Sequence, residues 1–202
     1  MKNLGLILAV IALVGLLVAA GCSPKRVSRI PEDSVTDLSG KWNDTDSRLV
    51  SEEMIGDCLV SPWKTRFVEQ HQKKPTVIVG VVQNKSTEHI AIDTFIGDME
   101  RAFINSDEVT VVASAAEREQ LREERQDQQT YASEETMKKW GRELGADFLL
   151  GGTISSILDE DRGEKVVFYQ VDLTLIDLES NAKVWLGQKK IKKYIGRARM
   201  SY

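Results

Sequence analysis

Histidine and cysteine are nearly absent, with two of each in 202 residues, and proline occurs only four times. So small a stock of ligating and nucleophilic side chains leaves little from which to assemble a metal centre or a catalytic relay. The cysteines are Cys22 and Cys58. With Cys22 committed elsewhere, as argued below, no intramolecular disulfide can form, and the fold has to rest on its hydrophobic core even in an oxidising compartment. A positive excess is also missing: 27 Lys and Arg stand against 31 Asp and Glu, so no basic field exists to hold a nucleic acid. No GxxxxGK[ST] phosphate loop, GxSxG elbow or HExxH zinc helix occurs.

Long apolar runs are missing too, except one. Residues 4–20 carry no charge, follow Lys2, and end in Val18-Ala19-Ala20-Gly21-Cys22. A short positive start, an apolar stretch at the lower edge of transmembrane length, and small residues before a cysteine describe an export signal over residues 1–21, the alternative being an uncleaved N-terminal membrane helix. Cys22 is then the lipidated residue, the membrane contact is the N-terminal lipid, and residues 1–21 stay out of any fold reasoning. Residues 22–37 are the lipidated cysteine and a short polar tether containing Pro24 and Pro31; fully stretched it spans roughly 50 Å. Ser23 is not the aspartate that retains many lipoproteins in the inner membrane, so an outer-membrane, periplasm-facing location is expected. Without Lys2 the charges become 26 basic and 31 acidic, a net −5. Residues 38–202 suffice for one domain with its own core.

Within that domain, residues 38–42 read as a short edge strand and Asn43-Asp44 as a helix cap. Leu49, Val50, Met54 and Cys58 recur at helical spacing and are expected to face the core. Ser61-Pro62 starts a second helix, with Trp63, Phe67 and Val68 on one side. Residues 76–82 (TVIVGVV) suit a strand in the middle of a sheet, buried on both faces. Ile92, Phe95, Ile96, Met99 and Phe103 mark an amphipathic helix. Residues 109–112 form another short strand, and Ser114 with Glu117 makes a capping box for a helix running to about Gln126, followed by a loop at 126–130. Ser133 caps a further helix with Met137, Trp140 and Leu144. From residue 148 the period changes to two: 148–158, 166–178 and 183–195 read as a three-strand meander. In its second strand Val167, Tyr169, Val171, Leu173 and Leu175 share a face opposite Gln170, Asp172 and Thr174, so one side is buried and the other is wet or contacts something. Gly151-Gly152 within a strand marks a bulge or tight packing.

No catalytic residue is nominated. His71 ends a helix, where the helix dipole favours it, and His89 falls in a polar loop. Cys58 lacks a CxxC partner and reads as a small core residue. The one asymmetry is basic: Lys189, Lys190, Lys192, Lys193, Arg197 and Arg199 crowd the last 14 residues of an acidic protein. They either guard an edge strand against aggregation or form a contact surface for an acidic partner, or for a polymer bearing carboxylates and phosphates; the second kind of contact weakens with salt.

Several segments together resemble the LpoB family: the run Asp37-Leu38-Ser39-Gly40-Lys41-Trp42-Asn43-Asp44-Thr45-Asp46-Ser47, the strand PTVIVGVVQNKST, the helix IDTFIGDMERAFINS, LGADFLLGGTISS, and the closing Leu178-Glu179-Ser180-Asn181-Ala182-Lys183-Val184-Trp185. The resemblance runs from about residue 37 to 195. It implies an α+β domain with a mixed, mostly antiparallel sheet of four to five strands packed by helices, in the style of TolB N-terminal and CsgG-like domains. It also implies function by contact: an outer-membrane lipoprotein that binds and activates a class A penicillin-binding protein, with no cofactor, metal or small-molecule substrate. The long proline-rich tether of enterobacterial members is not matched by residues 22–37. The alternative is a non-enzymatic subunit of a CsgG-like or other envelope assembly or transport complex; an envelope enzyme is disfavoured by the empty chemical search.

Overall fold

A computed structural model of the chain describes residues 27–131 and 145–196. It divides into a unit Met1–Ser34 and a unit Val35–Tyr202. In the first, residues 27–30 run without regular structure into a turn where the Ser34 N–H donates to the Pro31 carbonyl at 3.2 Å. The second carries the fold. Cys22 and the export signal lie outside the described residues, as do the helix expected from Ser133 and Arg197 and Arg199.

Local chemistry sets where each helix begins. The Asn43 side chain accepts the Asp46 N–H at 3.1 Å while the Asp46 carboxylate accepts the Asn43 N–H at 3.0 Å, a reciprocal cap that opens α1 (Asp44–Val60). Pro62, whose fixed φ suits a first helical position, opens α2 (Pro62–His71). Trp63 Nε1 donates to the Cys58 carbonyl at 2.7 Å and ties the elbow between the two. After β1 (Thr76–Lys85) come α3 (Ile92–Ser106), β2 (Thr110–Val111), α4 (Ala115–Tyr131), β3 (Phe148–Asp161), β4 (Glu164–Asp177) and β5 (Lys183–Ile195).

The five strands form one mixed sheet in the order β2-β1-β3-β4-β5. β1 runs parallel to β2 and β3, whereas β3, β4 and β5 form long antiparallel ladders, so the class is α+β. Helices α1 and α3 pack on each other, α1 against β5 and α3 against β1. Their apolar stripes, Val50, Met54 and Cys58 from α1 and Phe95, Met99 and Phe103 from α3, are 0–3 % exposed. They meet the inward rows Val77, Val79, Leu150, Ile154, Leu173 and Leu175 of the sheet. Each such side chain contributes about 1.5–3 kcal/mol on burial.

Two glycines answer to close approach and turn geometry. A Cβ at Gly152 would overlap the Asp172 carbonyl, and β1 slips register between Val79 and Val82 opposite Gly151-Gly152. Between β3 and β4 the link is the tight pair Arg162-Gly163 with φ of 48° and 83°; glycine takes the second position without steric cost. β3 and β4 therefore run into the gap expected at residues 159–165 and leave only these two residues between them.

Elsewhere the structure departs from expectation in specific ways. Residues 38–41 bend and form no strand, because Lys193 and Asn43 capture the Asp37 carboxylate before any ladder can start. Leu49 and Val68, expected among core-facing residues, are 47 % and 41 % exposed, lying at the rims of their stripes. β1 is not buried on both faces: Val81 is 73 % exposed. Helix α4 continues through the expected loop at 126–130, since nothing there breaks a helix and Ser114 and Glu117 cap its start, with the Ser114 N–H donating to Glu117 Oε2 at 2.7 Å.

Candidate interaction surface

The basic run of β5 is divided by the pleat. Successive side chains of a strand point to opposite faces, and β5 alternates accordingly between half-buried odd positions and exposed even ones from Leu186 to Tyr194. Lys189 and Lys193 turn toward the helices, whereas Lys190 and Lys192 project from the opposite face of the sheet. The structure therefore does not bring the four lysines together.

Lys193 is the most enclosed of them, its side chain 10 % exposed. Its ammonium donates to Asp46 Oδ2 at 2.6 Å, Asp37 Oδ1 at 2.7 Å and the Lys41 carbonyl at 3.1 Å. Burial by itself pulls this group down, but the hydrogen bonds to Asp37 and Asp46 outweigh it and hold its pKa above the ordinary lysine value. The same hydrogen bond lowers Asp37 below its usual range. Asp37 also accepts from Asn43 Nδ2 at 2.7 Å, so the clasp joins the end of β5, the cap of α1 and the chain entering the domain. Lys189 is paired more openly, with Glu53 of α1.

Beside the clasp, Trp42 packs edge-on against Phe95 and Tyr169, with ring centroids 6.1 and 5.5 Å apart. Glu88 completes the node, accepting the Trp42 N–H at 3.2 Å and the Tyr169 hydroxyl at 2.7 Å. Burial first, and Glu88 second, push the Tyr169 hydroxyl far above the usual tyrosine range. Sequence reading missed Glu88, because its partners lie 46 and 81 residues away and no periodicity reports such a meeting.

The opposite face of the meander is built in cross-strand rows: Ser155, Gln170 and Lys190; then Ile157, Phe168 and Lys192; then Asp159, Val166 and Tyr194. Ile157 and Tyr194 are each 65 % exposed. In the preceding row Asp172 is already satisfied, accepting from Gln170 and Gln188 at 2.8 Å each. Two exposed ammonium groups thus stand among apolar side chains, a mixture that binds by contact area and charge. Alternation in β4 and β5 was the signal that could have placed Tyr194 and Phe168 with these lysines.

The remaining chemical groups are settled by their surroundings. Cys58 is fully buried, and desolvation pushes its thiol up to about 12 despite a hydrogen bond from Trp63, which leaves it unreactive at neutral pH. His71 stacks on Phe67 at 4.3 Å, and His89 is exposed. Among the described residues, no group of three or more His, Cys, Asp or Glu is placed to hold a metal ion, and no helix is long and apolar enough to cross a membrane.

Residues 46–191 match the family described as peptidoglycan-synthase activator LpoB. Among solved structures, the chain is similar to the LpoB C-terminal domain from Salmonella enterica, at 14 % identity and a TM-score of 0.42 over 72 % of this chain and 98 % of that one. The NMR structure of Escherichia coli LpoB is similar at 12 % identity and 0.42, covering 85 % and 81 %. A lipoprotein from Neisseria meningitidis is similar at 13 % and 0.39, covering 62 % and 88 %. No curated protein matches the chain. With the family match spanning the helices, the parallel strands and most of the meander, the chain belongs to the LpoB family of peptidoglycan-synthase activators.

Proposed function

We propose that this chain is an outer-membrane lipoprotein, anchored through lipid on Cys22, that binds a class A penicillin-binding protein and raises its synthetic rate without catalysing a step itself. The observation that carries this reading is membership of the activator family across residues 46–191. An activator must bind the active conformation of its target more tightly than the inactive one, and this requires a complementary surface and no reactive group. Lys190 and Lys192, flanked by Ile157, Phe168 and Tyr194, supply such a surface and favour an acidic patch on the partner. Because Asp37 is clasped to Lys193 and the Thr36 carbonyl accepts from Asn43 Nδ2, the stretch available as a tether is residues 22–35, which spans at most roughly 50 Å. The synthase is accordingly met close to the anchoring membrane.

Crosslinking of residues 23–202 in envelope extract tests the partner, and glycan polymerisation by the recovered synthase, with and without the domain, tests the activity. Recovery of a class A synthase and a faster rate are expected. Absence of any synthase, together with an unchanged rate, rejects the reading. The anchor is tested separately by mass spectrometry of the native protein, where an unmodified Cys22 or a retained leader would contradict it.

A further inference from the structure

β1 is ten residues long, but β2 pairs only with its first two, Thr76 and Val77. From Ile78 onward, the side of β1 turned away from β3 has no strand beside it among the described residues. The Val77 carbonyl accepts the Val112 N–H at 3.0 Å on that side. Backbone groups alternate along a strand, so the N–H and C=O of Val79 point the same way and meet no strand partner among the described residues. β5, at the opposite edge of the sheet, is guarded by lysines, whereas β1 carries none before Lys85. An unguarded edge is a template for an added strand.

A groove of about 750 Å³ lies along this edge, between β1, α3 and the start of α4. A strand residue fills roughly 160 Å³, given its 3.3 Å rise, 4.8 Å strand spacing and 10 Å layer depth. The groove therefore takes about four to five residues, in keeping with the run of β1 along it, residues 78–82. Asp93, Glu100 and Glu117 line it, and no lysine or arginine does. Burial, and then the charge of Glu117, raise the Glu100 carboxyl above its ordinary value, while hydrogen bonds from Ser114 lower Glu117 and keep it ionised. A fitting occupant is extended, partly apolar and cationic.

Two segments of this chain have that chemistry, residues 25–30 and residues 197–202, and the second is the one whose reach the sheet constrains. Residues 197–202 read Arg197-Ala198-Arg199-Met200-Ser201-Tyr202, and an extended backbone sets the two arginines on one side and Ala198 and Met200 on the other. The groove of their own domain lies beyond their reach. β3 and β4 separate β5 from β1, and Ile195 is aligned through Lys165 with Glu160, far along β3 from the groove. Strand spacing and rise put that separation at roughly 35–40 Å, whereas so short a segment reaches at most about 20 Å.

We propose that the free edge of β1 accepts residues 197–202 of a second copy as an added strand, with Arg197 and Arg199 facing Asp93, Glu100 and Glu117. The contact joins two different surfaces, so reciprocal exchange of tails closes a two-fold dimer, while one-way repetition yields an open chain or a ring.

Sedimentation of residues 23–202 over a range of concentrations tests this. Every buried apolar residue among those described lies within the unit Val35–Tyr202, so residues 23–202 keep the whole described core. The wild type is expected to associate, and the protein ending at Gly196 to remain monomeric. Gly97→Phe should also be monomeric: nothing lies within 4 Å of a Cβ at Gly97, so the phenyl ring enters the groove without disturbing the core, which an unchanged thermal melt verifies. Glu100→Gln should weaken association about fivefold, the size of one partly exposed ion pair, and excess peptide of residues 196–202 should return the wild type to monomer. Wild-type and truncated proteins that both sediment as monomers throughout, or a Gly97→Phe protein that associates as the wild type does, overturn the proposal. No synthase enters the measurement, so its outcome is independent of the activation reading.

Discussion

Lys192 and Lys193 are adjacent in the chain and occupy opposite faces of the same sheet. Lys193 is enclosed and donates to three oxygens that hold the entrance of the domain against its last strand. Lys192 stands in water beside Ile157 and Phe168. The difference teaches that a basic run is not a basic patch: the two-residue pleat splits it, assigning half its charge to architecture and half to the surface.

The contrast is tested most strongly seven residues earlier in β5. Trp185 is 6 % exposed and its Nε1 donates to Asp57 at 2.9 Å, while neighbouring Leu186 is 67 % exposed. Trp185→Ala is expected to cost about 3–5 kcal/mol in urea unfolding, and Leu186→Ala to stay within about 0.5 kcal/mol; equal losses would show that both faces are covered. At the clasp itself, Lys193→Met should cost about 1.5–3 kcal/mol, the range for hydrogen bonds to charged groups, against about 0.5 kcal/mol or less for Lys192→Met.

The stability difference between wild type and Lys193→Met should also depend on pH. Asp37 is lowered in the fold, so its contribution is present above the unfolded carboxylate value of about 3.9 and lost as pH falls through the folded one. Lys193 is raised, so its contribution is present below about 10.4 and lost as pH rises through the folded value. The difference is therefore widest between about pH 4 and 10 and shrinks on both sides; a flat profile would show that the clasp acts through packing. Smallest in energy is the effect on the outward face. Lys190→Glu with Lys192→Glu should leave the urea midpoint unchanged and weaken synthase stimulation about tenfold, most clearly at low salt. A variant that stimulates as well as the wild type moves the contact elsewhere.

Much of this architecture was legible in advance. The 3.6-residue period found Phe95, Met99 and Phe103, each of them 0 % exposed, because an amphipathic helix writes its buried face into local spacing. The two-residue period found the meander and the inward row of β4 for the same reason. Residues 38–42 were misread as a strand because Leu38 and Trp42 carry strand-like content, while the partner that decides their path, Lys193, lies about 150 residues away in sequence. Of the candidate surface, the lysines were visible and their sorting was derivable from alternation. Glu88 was not, since its role exists only where β4 and the loop after β1 meet.

Taken alone, the amino-acid order determined the uncharged run of residues 4–20 and the helix caps at Asn43 and Ser114, because both rest on residues close in the chain, where spacing and side-chain type suffice. The α+β class was implied by the resemblance of whole segments to a family. Only the tertiary structure decided that Lys193 is a clasp and Lys192 a surface group, that Glu88 links Trp42 to Tyr169, and that most of β1 has no strand on one side among the described residues. Those depend on strand order and register, which are fixed by how distant apolar faces close over one another and bring remote polar groups within hydrogen-bond reach.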